Sequence, residues 1–364
     1  GRRPQVEHPW GKAGDRTRQD LTPRRVEPSL RAILPTPMPR ALAIIRTGLA
    51  LVSLSAAACA PTHDVTVLKL GHGLDVEHPV HLAMELMAEA VGEHSGGSLR
   101  IDVYPGEQLG SERELLELVQ LGILAMTKSS SAPMESFVPT MKVFGLPYLF
   151  RDSNHLWSVL QGQVGREILE SGTRYGLKGL GYYDAGARSF YTRDTPIRGP
   201  ADLQGLKIRV QKSVMAMQMV ETLGGAPTPI DWGELYSALD QGVVDGAENN
   251  RPSYVVARHH EIARYYSLDE HSRQPDVLVI NPDAWASLSA DHQAALTRAI
   301  DDSVAFQRDL WRQAATDNLA DAERAGVEII RPDQDLFRQA VQPLWRAYDD
   351  TDIGELARRI QEVD

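Results

Sequence analysis

At 364 residues, with 42% apolar, 24% charged and 6% aromatic side chains, the chain is long enough for two compact domains and too apolar to be disordered throughout. Its formal net charge is −11, and the residues after position 58 carry close to −17, because the first 58 hold ten Lys/Arg against four Asp/Glu. Such an acidic surface argues against nucleic acid or anionic lipid as partner, and it requires any bound anion to be held by local cations.

Residues 1–37 are rich in Arg and Pro, show no hydrophobic periodicity, and read as an upstream extension without a structural role. Met38 opens a segment with the build of an export signal over 38–60: Arg40 and Arg46, the apolar run Leu49-Ala-Leu-Val-Ser-Leu54, then Ala56-Ala57-Ala58 before Cys59. A short buried helix is the alternative for the same residues. Cys59 is the only cysteine, so an intramolecular disulfide is impossible, and its position fits lipid attachment or simple cleavage equally. The resulting location is periplasmic. No later stretch reaches the roughly 18 apolar residues that a membrane span needs.

From Val65 the pattern alternates between strand and helix. Val65–Leu70 reads as a buried strand ending at Gly71. His78-Pro79 starts a helix with Pro in its first turn, Val80, Ala83, Met87 and Val91 share its apolar face, and Gly96-Gly97 stops it. Leu99–Tyr104 alternates with period two, and Ser111 caps a helix running to Leu121. A second set follows Gly186: the turn Pro200–Gly205, the strand Leu206–Gln211, a helix over Val214–Leu223, another over Trp232–Gln241, and a return to the sheet at Val243–Gly246. This rhythm predicts an α/β architecture with a largely parallel sheet. Between Ser289 and Gly326 there is neither Pro nor Gly, and apolar residues recur at helical spacing, so one helix of about 54 Å is expected there.

Signatures of catalysis fail on named residues. His260-Glu261 begins a zinc-protease pattern whose second His is replaced by Arg264. Gly71-His-Gly73 begins a dinucleotide loop whose third glycine is replaced by Val76. A serine-nucleophile elbow and a phosphate-binding Gly-Lys loop are both missing from the sequence. The chain is therefore expected not to be an enzyme and to need no metal or cofactor, although a carboxylate pair assembled only by folding would escape such a search.

Three segments place polar residues where a structural role is strained. In Leu206–Gln211 the apolar Leu206, Ile208 and Val210 face the core, which leaves Lys207, Arg209 and Gln211 for a solvated face or a binding surface. Arg188 sits among Tyr183, Phe190 and Tyr191, as either a packed cation or a ligand-facing one. Glu248, Asn249 and Asn250 cluster beyond an apolar run, where open α/β sheets bind ligands and where Asn also serves turns.

From about Val65 to its end the chain resembles the dicarboxylate-type solute-binding proteins of tripartite ATP-independent periplasmic (TRAP) transporters. The resemblance is carried by Tyr104-Pro-Gly-Glu-Gln-Leu-Gly110, Phe144-Gly-Leu-Pro-Tyr-Leu-Phe150, Pro200–Val210, Leu235-Tyr-Ser-Ala-Leu239 and Val244-Asp-Gly-Ala-Glu-Asn249, in that order and spacing. It implies an α/β, two-lobed periplasmic binding protein fold with a hinge and a long helix spanning both lobes. Lobe I would comprise 64–186 with 275–313, and lobe II 187–274 with 314–364. The resemblance also implies that Arg209 grips a ligand carboxylate, Arg188 supports it and Asn249 donates a hydrogen bond, with membrane permease subunits as partners. A guanidinium suits that role, since it offers two parallel N–H donors and keeps its charge.

Asn249-Asn250, Pro252-Ser-Tyr254 and Tyr265–Ser272 are similar to the hexuronate-binding branch of that family. Glu77, His78, Ser129, Ser130, Gln211 and Asn250 would supply donors and acceptors for sugar hydroxyls. Lys128 points the other way, as a partner for a second carboxylate, and Arg251 stands where the hexuronate-like pattern more often has Trp. A hexuronate therefore leads. A C4-dicarboxylate or other small organic acid comes second, and an exported uronate-acting enzyme or a ligand sensor module third.

Overall fold

The computed structural model describes residues 65–364. The extension over 1–37, the export segment over 38–60 and Cys59 lie outside the described residues. Among the described residues, eleven strands form two sheets. The first contains β1 (Thr66–Gly71), β2 (Leu99–Tyr104), β3 (Met126–Ser130), β4 (Lys178–Tyr183) and β10 (Asp276–Ile280), in the order β2-β1-β3-β10-β4. The second contains β5 (Arg188–Thr192), β6 (Lys207–Val210), β7 (Ala226–Pro229), β8 (Gly246–Asn249), β9 (Tyr265–Ser272) and β11 (Glu328–Ile330), in the order β11-β9-β5-β8-β6-β7.

Both sheets are mixed, which corrects the expectation of a largely parallel one. The βαβ rhythm does produce parallel pairs, β1 with β2 and β3, and β6 with β7 and β8. Twice, however, the chain passes straight from one sheet into the other, through 184–187 and through 273–275. A strand entering a sheet without a crossover helix is free to run antiparallel. Accordingly β10 is antiparallel to β3 and β4, and β5 to β8 and β9. These two short links are the hinge.

Local signals place most helices as expected. His78 caps the helix Pro79–His94, its ring Nδ1 accepting the Val80 N–H at 3.2 Å. Ser111 and Glu114 form a capping box ahead of Glu112–Gln120. The long helix runs Ala290–Arg324, 35 residues or about 52 Å, with Ser289 as its N-cap and Gly326 at φ 88° beyond its end. Near its start Leu296, Ala299 and Ile300 pack with Val80, Met84 and Met87 against the first sheet. Near its end Ala322 joins Tyr191, Leu235 and Tyr266 in the core of the second lobe. The helix thus spans both lobes.

Midway, it straps the first hinge link. The buried Gln307 amide accepts the Asp184 N–H and donates to the Asp184 carbonyl, both at 2.8 Å. Gly186 follows at φ 60°, and a Cβ there would lie 2.9 Å from the Trp311 indole nitrogen. Only glycine satisfies both the backbone and the contact.

Candidate functional site

Between the lobes lies a chamber, joined by shared walls at Glu112, Gln211 and Trp232 to a smaller compartment. The topology explains its lining. His78 follows β1, Lys128 lies in the carboxyl-terminal half of β3 and Ser130 ends it, Gln211 follows β6, and Asn249 and Asn250 end and follow β8, toward the carboxyl ends of strands that run parallel within each sheet. Asp276 and Arg188 begin antiparallel strands, so their first residues meet those same ends.

Arg209 is the unusual group. It sits on β6, between β7 and β8, with 2% of its surface exposed. Lys207 is exposed, but Ile208, Arg209 and Val210 are all buried. The solvated-face reading of this strand is therefore wrong: period two assigned alternate residues to two faces, and both faces are covered. The Arg209 Nε donates to the Ile230 carbonyl at 2.9 Å, one terminal nitrogen has no partner, and no carboxylate among the described residues lies within ion-pair distance. Burial lowers its pKa from the ordinary value, yet a guanidinium stays charged in any protein setting. The Trp232 ring flanks it, with the guanidinium carbon 6.0 Å from the ring centroid.

Arg188 is buried as well, but its charge is already used. It donates to both Glu248 carboxylate oxygens at 2.6 and 2.8 Å, and to Asn249 Oδ1 at 2.9 Å. Burial works against the Glu248 charge, but Arg188 and His271 outweigh it and hold the carboxyl down at about 2. His271 lies 2.7 Å from Asp269 and 3.3 Å from Glu248; burial opposes its charge, and these carboxylates overcome that and push it up to about 9. The four groups form a closed, charge-balanced cluster behind the chamber wall.

Lys128 is likewise engaged. Its ammonium lies 3.2 Å from Glu112 Oε1 and 3.2 Å from Asp276 Oδ2. Burial would weaken the ammonium, but the two carboxylates prevail and its pKa is raised. Glu112 Oε1 also accepts the Ser130 N–H at 3.1 Å. Burial, Lys128 and His81 together hold His78 near 3, so its imidazole is neutral; with Nδ1 accepting at the helix cap, Nε2 donates to Ser253 Oγ of the opposite lobe at 3.1 Å. Ser130 Oγ reaches Gln211 Oε1 across the same gap at 3.4 Å.

Of the residues singled out from sequence, His78, Lys128, Ser130, Arg188, Gln211, Asn249 and Asn250 line the main chamber, and Arg209 lines the adjoining compartment. Glu77 does not join them. It is exposed in the turn before the first helix, and only His78 is drawn inward by its capping role. Ser129 points away from the cleft by strand alternation and bonds the Ser130 carbonyl. Asn249 also corrects the sequence reading: Gly246–Asn249 is itself the strand, and the apolar Val243-Val244 precedes it. The chamber also takes in Glu112, Trp232, Ser253 and Asp276, none of them a candidate by sequence alone: Glu112 lies in the first turn of a helix, Trp232 reads as a helix start, Ser253 enters only through the Pro252-Ser-Tyr254 resemblance, and Asp276 opens a strand that no helix announces.

Residues 70–351 match the family described as bacterial extracellular solute-binding protein, family 7. A solved TRAP periplasmic solute binding protein from Xanthobacter autotrophicus Py2, with bound β-D-galacturonate, aligns at 38% identity and a TM-score of 0.79, covering 82% of this chain and 100% of that one. One from Roseobacter denitrificans, with bound β-D-glucuronate, aligns at 35% identity and a TM-score of 0.80, with coverages of 82% and 100%. The C4-dicarboxylate-binding periplasmic protein DctP of Rhodobacter capsulatus is 30% identical over 241 residues, 66% of this chain and 72% of the relative.

Proposed function

Because the chain belongs to family 7 of the bacterial extracellular solute-binding proteins, the non-enzymatic TRAP type, we propose that it captures a hexuronate such as D-galacturonate or D-glucuronate. One observation carries this reading: Arg209 is a buried guanidinium with an unpartnered nitrogen and, among the described residues, no carboxylate within ion-pair distance. A ligand carboxylate supplies the missing charge and two acceptors in the geometry the guanidinium prefers. Asn249, Asn250, Gln211 and Ser130 supply polar groups for hydroxyls, and Trp232 supplies an apolar face. The bound hexuronates of the two solved relatives support the sugar acid.

Closure of the lobes over the ligand excludes water and stabilises the form in which His78 meets Ser253. That closed form is what membrane permease subunits would receive. Export through 38–60, ending either in a lipid anchor on Cys59 or in simple cleavage, completes the reading; mass spectrometry of the mature protein distinguishes a lipid-modified from a free terminus.

The test is a thermal-shift screen of organic acids, since a ligand bound only by the native state raises Tm. D-Galacturonate or D-glucuronate is expected to stabilise the protein. Stabilisation by succinate without either uronate would replace this reading with that of a C4-dicarboxylate carrier, which the Rhodobacter relative favours and which needs Lys128 for the second carboxylate.

A further inference from the structure

The charges around the cleft permit a count. Five cations line its two compartments: Arg113, Lys128, Arg188, Arg209 and Lys212. Four are paired to carboxylates, Arg113 with Glu117 at 3.2 Å, Lys128 with Glu112 and Asp276, Arg188 with Glu248, and Lys212 with Asp231 at 2.6 Å. His78 is neutral and adds none. Of these five, Arg209 alone has no carboxylate of a described residue within ion-pair distance, the Glu107 carboxylate of the same compartment lying beyond that reach.

The wall around Lys128 goes further than neutrality, because two carboxylates share one ammonium. Glu112 Oε1 and Asp276 Oδ2 face Lys128, while Glu112 Oε2 and Asp276 Oδ1 take no hydrogen bond from a described residue and belong to side chains that line the chamber. Acceptors of this kind welcome O–H donors and repel a further anion. We propose that Glu112, Lys128 and Asp276 form a charge filter that admits acids with one carboxylate, reads their hydroxyls, and rejects diacids with the same hydroxyl pattern. The proposal rests on the assignment of Arg209 as the carboxylate site. It also reverses the role first expected of Lys128, which holds two acidic acceptors in place instead of receiving a second ligand carboxylate. Specificity of this kind is built from repulsion of the wrong ligand as much as from attraction of the right one.

The experiment compares two open-chain acids of one hydroxyl pattern, galactonate with one carboxylate and galactarate with two, alongside D-galacturonate and D-glucuronate, by calorimetric titration of the whole protein. The wild type should prefer galactonate to galactarate by at least about tenfold, like charges facing each other across a binding surface being strongly disfavoured. Glu112→Gln keeps an acceptor for the Ser130 N–H while removing one negative charge, and should move that ratio by about tenfold or more toward galactarate. Equal wild-type affinity for the two acids, or an unchanged ratio in a folded Glu112→Gln protein, would overturn the filter. Should neither open-chain acid bind the wild type, the variant's gain of galactarate binding supports the filter and its absence refutes it. If the variant does not fold, the wild-type ratio decides. Failure of D-galacturonate together with D-glucuronate removes the hexuronate assignment and leaves the filter to be scored on the two open-chain acids.

Discussion

Arg209 and Arg188 are both buried guanidiniums a short distance apart, and their partners make them opposites. Arg188 closes a cluster with Glu248, His271 and Asp269, whereas Arg209 is left with a single backbone carbonyl. Arg188→Met would strand a buried Glu248 carboxylate, and should cost about 3 kcal/mol or more in urea unfolding. Arg209→Met removes an uncompensated charge, and should raise ligand-free stability by about 1 kcal/mol while abolishing the thermal shift with every acid. A loss of ligand-free stability on Arg209→Met would contradict the picture of an unpaired cation. The same cluster sets a pH dependence. His271 titrates at about 9 instead of 6.5, so its charge stabilises the fold fully below pH 6.5, and that contribution is lost as pH rises through 9. The loss should be on the order of 3 kcal/mol, read as a falling urea midpoint between pH 6.5 and 9.5, with the His271 ring resonances titrating near 9.

At the level of elements, the long helix Ala290–Arg324 does more than connect. Its buried Gln307 and Trp311 hold the 184–187 link that joins the two sheets, and Gly186 is the point of closest approach. Gly186→Ala demands both a positive φ from an L residue and room that Trp311 occupies. It should cost about 1–3 kcal/mol in denaturant unfolding, and Trp311→Ala should restore only the steric part. The helix start at Pro79 likewise serves two ends. His78 caps it through Nδ1 and crosses the cleft through Nε2, so His78→Asn would keep the cap and lose the reach to Ser253.

The whole molecule carries its ligand site against its own field. Residues 59–364 are close to −17 in net charge, while among the described cleft cations only Arg209 is without an ion pair. Association of an anionic ligand should therefore accelerate as ionic strength rises and screens the acidic body, the reverse of electrostatic steering. Stopped-flow measurement of the association rate between about 10 and 300 mM salt checks this, the Debye length falling severalfold over that span. A rate that drops with salt would show that the local field at Arg209 dominates the approach.

Much of the architecture was readable from local chemistry. Caps at His78, Ser111 and Ser289, stops at Gly96-Gly97 and Gly326, and period-two runs such as Leu99–Tyr104 reflect forces acting over a few residues, which are written along the chain. The two-lobed arrangement and the candidate role of Arg209 are implied by the family resemblance, which rests on the order of several motifs and not on any one spacing. What local patterns could not convey was which faces are covered and who pairs with whom. Burial of both faces of β6 depends on neighbours far away in sequence, so alternation leaves Arg209 open between solvent and a site, and only the fold makes it an enclosed cation. The engagement of Lys128 by Glu112 and Asp276 depends on β10 entering the first sheet directly from the second, a contact spanning almost 150 residues. Charge compensation is a property of juxtaposed side chains, and only the folded chain brings them together.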